Sequence, residues 1–280
     1  MPDPAALSPL AALARRHDPD RFLCALFAPP ERRETLFLLI AVNHELARAR
    51  QAASNAMTAL IRLQWWRDAV TEAGTEAPPR RHEVATPLAE ALRQGHLSAE
   101  DLQAMIDARE AETEEDIPTE SAFLAYLRGT AGGFAVAAGR ALGAPAGSLP
   151  GLQALGAAYG MAGVLRSIPQ QSLQGRSLLP AETLARHGLT PADMARDPRQ
   201  QGAAGAVAEL ARQGQALLAE GRARLGRLPR GAVAAALPAR LAARDLKTLA
   251  GGGYDPTRPP APRGLGDRLS VAWAGLAGRP

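Results

Sequence analysis

The chain has 280 residues, enough to bury a sizeable core as one large or two small domains. Its net charge of +4 rests almost wholly on arginine, since Lys247 is the sole lysine, and aromatic residues make up only 4%. This balance admits an anionic partner or a membrane surface, but it lacks the aromatic platforms on which bases stack, so nucleic acid is set aside as a partner.

Ala and Leu dominate the apolar 46%, and β-branched or aromatic runs are scarce, which predicts an all-α fold. Asp18 or Asp20 caps a first helix over 20–27. "PPERRETLFLLIAVNHELARAR" starts a longer helix with prolines at its entry and Glu31 and Glu34 in its first turn. "NAMTALIRLQWWRDAV" repeats Leu60, Leu63 and Trp66 at helical spacing, and one of the adjacent Trp65 and Trp66 belongs to the core. After the loop "APPRRHEVATP", helices follow near 85–95, 98–115 and 119–142. Glycines inside the last of these allow a second helix to approach closely. A turn at 143–150 leads to an Ala/Gly-rich buried helix over 151–167, which breaks at Ser167, Pro169, Gln170, Gln171 and Ser172. Short helical turns at 181–187 and 191–196 precede long helices over 202–226 and 231–250. "GGGYDPTRPPAPRG" is an exit loop, and 265–277 is a short amphipathic piece whose Leu265, Leu269, Trp273 and Leu276 share a face. That face either packs back onto the domain, the simpler reading, or touches a membrane. No repeat or linker divides the chain, so a single domain over 1–280 is expected, with a core of about 17–256 and a tail from 257 to 280.

Cys24 stands alone and reads as a small buried apolar residue. No apolar run approaches the ~20 residues that cross a bilayer, and no basic start with an apolar core marks a signal peptide. The expected location is cytoplasmic, with peripheral contact at the inner membrane as an extension. The five histidines have no metal-ligand spacing. Asp193 and Asp197 sit one turn apart on a short polar segment and read as a solvated turn. The acidic run at 110–116 reads as a helix end in water.

The segment "GRSLLPAETLARHGLT" resembles the signature stretch of the squalene/phytoene synthase family. In the right order, "DPDRFLCALFAPPERRETLFLLIAVNHELARAR", "IRLQWWRDAV", "FLAYLRGTAGGFAVAAGRALG" and "LPARLAARDLKTLAGGGYDP" are similar to its other helices. The resemblance implies an isoprenoid-synthase-type helical bundle around a central cavity. It also implies, for active members, head-to-head joining of prenyl diphosphates with Mg²⁺ held by two acidic motifs. A departing diphosphate is strongly anionic and leaves a carbocation, so hard cations held by carboxylates are required.

At those motifs the chain departs from the family. Laid on the first, it has Ala47, Arg48 and Gln51 in place of the acids; laid on the second, it has Ser167, Gln170 and Gln171. Arg166, Gly175, Arg176, Leu179 and Pro180 still match. Glu45 is the nearest surviving acid, outside the motif. A glutamine lends a metal one neutral oxygen and does not neutralise it. The pattern is most similar to a branch of the family that lacks the acidic motifs and includes the mitochondrial respiratory complex I assembly factor. This implies no catalytic residue and no metal or cofactor. The implied role is assembly of a membrane-complex client, or binding of an isoprenoid-like lipid. The alternative is an active prenyltransferase with a divergent metal site, the one case that needs Mg²⁺. The candidate cavity residues are Glu45, Arg48, Gln51, Tyr126, Arg166, Gln170, Gln171 and Arg176. If Arg48 and Arg166 point inward, the cavity binds a prenyl phosphate or phospholipid without metal. If Arg48 instead pairs with Glu45, it only holds helices together. Tyr126 falls where the family keeps a cavity tyrosine, and core packing with an outward hydroxyl is its other reading.

Overall fold

Ser8 opens a helix that the periodicity misses. Its hydroxyl accepts the Ala11 amide, Pro9 fills the first turn, and α1 runs over Pro9–His17. The structure, a computed structural model, describes residues 7–53, 55–75, 78–256 and 263–280. Asp18 caps α2 (Pro19–Ala25), and a Pro29–Pro30 entry starts α3 (Pro30–Gln51). Asn55 caps α4 (Ala56–Glu72), which is followed by α5 (Ala85–Arg93) and α6 (Ala99–Ala108). Next come α7 (Glu120–Leu127), α8 (Gly133–Ala141), α9 (Leu149–Arg166) and α10 (Ile168–Leu173). The chain continues through α11 (Ala181–Arg186), α12 (Pro191–Arg196), α13 (Ala203–Leu225), α14 (Pro238–Ala250) and α15 (Leu265–Ala277). The described residues contain no strand. The exit loop and tail expected from 251 onward include residues 257–262, which lie outside the described residues, as do residues 1–6 of the expected leaderless N-terminus.

Four elements depart from the periodicity, each for a local reason. The helix expected over 98–115 stops at Ala108 and tightens into a 3₁₀ turn, Arg109–Glu112. Side chains three apart eclipse in such a turn, which brings Arg109 and Glu112 together. The helix expected over 119–142 widens into a π turn at Arg128–Gly132, where the Thr130 hydroxyl donates back to the Tyr126 carbonyl at 2.7 Å. The expected break after residue 167 is instead a new helix, α10. Pro169 cannot continue α9, but it costs little in the first turn of the next helix. The helix expected over 231–250 starts as a 3₁₀ turn, Arg230–Ala235, and becomes α-helical only at Pro238.

At the centre lies α9, packed against α8, α13 and α14. Its small residues set the spacing: a Cβ on Gly156 would lie 2.5 Å from the Ala131 carbonyl oxygen, so α9 and the π turn meet backbone to backbone. This is the close approach expected of the glycine-rich segment. Trp66 is core, while Trp65 packs edge-on to it beneath the Arg80 guanidinium and away from the cavity described below. Asp193 caps α12 from within, and Asp197 pairs with Arg199. A second, smaller core of Cys24, Val233, Leu237, Leu241, Val271 and Ala274 holds α15 against α2 and α14. Beside it Arg263 bonds both Asp20 (2.8 Å) and Asp245 (2.9 Å), and Arg166 reaches Asp245 at 3.3 Å. Among the described residues no helix is long and apolar enough to cross a membrane.

Candidate functional site

The C-terminal end of α3, the 3₁₀ turn after α6, the π turn, α9 and α10 enclose a cavity of about 250 Å³. Gly175, at φ +67°, supplies the left-handed turn that sends the chain back past α10 and puts Arg176 in the wall. The wall centres on Glu112, which is 6% exposed. Its Oε1 accepts from Arg109 Nη1 at 2.5 Å and from the Tyr126 hydroxyl at 2.7 Å. Its main-chain carbonyl accepts from Arg176 Nη2 at 2.5 Å. Arg109 is held from the other side by Asn43 Oδ1 at 3.1 Å. The acidic run is therefore not wholly in water: its third acid turns inward, because a buried guanidinium and a phenol are there to receive it. The Tyr126 hydroxyl likewise faces this carboxylate and not solvent.

These groups tune one another. Burial works against the Arg109 charge, but the adjacent Glu112 carboxylate outweighs it and holds the guanidinium above its ordinary range. Burial, reinforced by the Glu112 charge, pushes the Tyr126 phenol well up, so it stays a donor. Burial and then the positive charge of Arg50 hold Arg176 below the usual arginine value. Arg50 Nε is itself buried with no hydrogen-bond partner. Across the cavity, Arg21 lies 4.0 Å over the Phe134 ring and 4.9 Å from that of Tyr159.

Gln171 serves the backbone. Its Nε2 donates to the Val164 carbonyl (3.1 Å) and to Ser167 Oγ (2.7 Å), and its Oε1 accepts the Leu178 amide (2.9 Å). It thus satisfies an end carbonyl of α9 and ties the loop after α10 to that helix. A carboxylate at this position has no N–H to give to Val164 or Ser167.

Of the candidates from the sequence, Gln51, Tyr126, Gln170, Gln171 and Arg176 line the cavity; Glu45, Arg48 and Arg166 do not. Arg48 lies half exposed on α3 and bonds Glu45 at 3.1 Å, one turn away. Arg166 is drawn to Asp245 on the α14 side. The guanidiniums in the wall belong instead to Arg21, Arg109 and Arg176. Arg109, Glu112, Thr130, Tyr159 and Gln174 complete the polar lining and were missed. The i, i+3 pair Arg109–Glu112 was the one signal in the sequence that could have found the buried acid.

A helical bundle closed around a polar-walled cavity is the isoprenoid-synthase architecture, and a solved dehydrosqualene synthase shares this fold. It superposes with a TM-score of 0.79 over 96% of this chain and 94% of that one, at 13% identity. The squalene/phytoene synthase family model matches residues 14–271, and the chain belongs to that family. Complex I assembly factor 6 of Bos taurus is 28% identical over 208 residues, which is 72% of this chain and 61% of the relative. The match therefore spans about three fifths of that protein's length. A presqualene diphosphate synthase of Rhodopseudomonas palustris is 33% identical over 134 residues, 47% of each chain.

The Mg²⁺ that the family resemblance implies has a poor donor set here. Glu112 is the one carboxylate in the lining, already shared by a guanidinium and a phenol. The other candidate ligands are amide and hydroxyl oxygens, and among the described residues no group of three His, Cys, Asp or Glu is placed to hold a metal. Hard divalent ions take carboxylates, so these residues do not fit the group.

Proposed function

We propose that this chain is a non-catalytic member of the family, which holds an anionic isoprenoid or lipid phosphate without metal and serves the assembly of a membrane complex. The observation that carries this reading is the charge of the wall: three guanidiniums face the cavity against one carboxylate, which is already neutralised in place. Guanidinium binds phosphate through paired N–H groups and needs no bridging cation. The depressed Arg176 and the unpartnered Arg50 Nε mark where an anion would relieve repulsion and supply a missing acceptor. Similarity to a complex I assembly factor supports a membrane-complex client.

The test uses the purified chain with farnesyl and geranylgeranyl diphosphate. Equal ligand-induced rises in Tm in Mg²⁺ and in EDTA are expected, lost in Arg176→Met, with no pyrophosphate released. The similarity to a presqualene diphosphate synthase favours a second reading, a prenyltransferase with a divergent site. Mg²⁺-dependent pyrophosphate release would establish that reading and overturn the first.

A further inference from the structure

The tail helix α15 has two unlike faces. Inward, Val271 and Ala274 join the small core with Val233, Leu237 and Leu241, and Gly275 lies so close to the Phe27 ring that a Cβ there would be 2.5 Å from it. Outward, Leu265 (78% exposed), Leu269 (67%), Trp273 (64%) and Leu276 (67%) stand on successive turns. Among the described residues, this single helix carries four of the nine large apolar side chains left exposed. The stripe is about 16 Å long at 1.5 Å per residue. The simpler expectation from sequence, that these four residues pack back onto the domain, is therefore overturned. Small residues at 271, 274 and 275 fit the narrow inner contact, and the bulky ones are turned away.

We propose that the outer face of α15 docks onto an anionic lipid bilayer. The charges select this occupant. Arg268 and Arg279 are exposed at the two ends of the stripe, and Arg230 bonds the Leu276 carbonyl at the C-terminal end. The helix's single acid, Asp267, is turned inward, bonded by Arg244 and by the Gly264 amide. The outer face is thus apolar with cationic ends and no carboxylate of its own. A second copy meeting it across a two-fold axis would set arginine against arginine, whereas an acidic headgroup layer complements both ends. Trp273, at the middle of the stripe, has the amphipathic ring favoured at the headgroup boundary. The inference does not rest on the cavity reading.

The test is co-sedimentation of the full chain with vesicles of phosphatidylglycerol and phosphatidylcholine, and with phosphatidylcholine alone. Binding to the acidic vesicles is expected, with a blue shift of tryptophan emission that is absent in Trp273→Phe. Leu269→Ser with Trp273→Ser should weaken partitioning by about tenfold or more at unchanged helix content. Arg268→Glu with Arg279→Glu should weaken it on acidic vesicles only, while Arg176→Met should bind vesicles as the wild type does. Failure of the wild type to sediment with acidic vesicles, or equal sedimentation of the stripe variant, would overturn the proposal. So would a dimer in sedimentation velocity that the stripe substitutions dissolve, since a second copy would then cover the face.

Discussion

Replacing Glu112 with alanine puts the organisation of the cavity wall to the test. The carboxylate and Arg109 are 8% and 11% exposed and 2.5 Å apart. Removing one member of such a buried pair strands the other, at a cost of roughly 3–5 kcal/mol. Unfolding entropy is about 2.1 cal/mol/K per residue, so a chain of 280 residues has about 0.6 kcal/mol/K at its midpoint. The expected fall in Tm is therefore roughly 5–9 °C, read by calorimetry. Converting both partners to apolar residues, Arg109→Met with Glu112→Leu, should recover most of the loss, because no charge is then left unpaired. Glu112→Gln adds a functional reading. It keeps an acceptor for Tyr126 but removes the wall's one negative charge, so prenyl diphosphate should raise Tm at least as much as in the wild type. A Tm within 1–2 °C of wild type for Glu112→Ala would refute the claim that this acid anchors the wall. Loss of ligand response in Glu112→Gln would refute the claim that the cavity reads anions without a carboxylate.

Three further outcomes are expected. Gln171→Leu leaves the Val164 carbonyl and the Leu178 amide without their partner and should cost about 1–3 kcal/mol in denaturant titration. Gln171→Glu, which keeps only the acceptor, should recover little of that stability. Gly156→Val forces a side chain against the Ala131 carbonyl oxygen and should destabilise by about 1–3 kcal/mol or more, while Gly163→Ala, with open space around it, should stay within about 0.5 kcal/mol. The His17 and His44 rings stack at 3.8 Å, and burial, then the His17 charge, hold His44 below its usual value of 6.5. A depressed base favours the folded state when neutral, so this contribution is present above pH 6.5 and lost as pH falls through the lowered value. Tm should drop between pH 7.5 and 5, and His44→Phe should flatten that slope.

The helices were legible because Ala and Leu recur at helical spacing and Asp18 and Asn55 stand where caps belong. The cavity was half legible. Gln51, Gln170, Gln171 and Arg176 line it and were found by alignment to a motif. Arg48 and Arg166 came from the same alignment and do not line it, because sequence position gives a helix residue's place but not the partner that claims its side chain. Glu45 and Asp245 made those claims. Glu112 hid inside an acidic run, since composition there signals water, and only the tight turn brings Arg109 over it. The π turn was invisible for a related reason: one hydroxyl donating back into the helix leaves no periodic trace. The outer stripe of α15 was legible as a stripe, but which face finds a neighbour depends on Phe27 and Val233, both distant in sequence.

The Arg263 clamp has a consequence for how the protein is made. Asp20 and Arg263 are 243 residues apart along the chain. Closing so long a loop is slow and entropically costly, and it comes late in folding. During synthesis the first and fourteenth helices can be complete while the arginine is still inside the ribosome, with two aspartates repelling across the seam it will later hold shut. The bundle is thus sealed from its far end, and a nascent chain stopped short of that residue carries an open seam as its mark of immaturity.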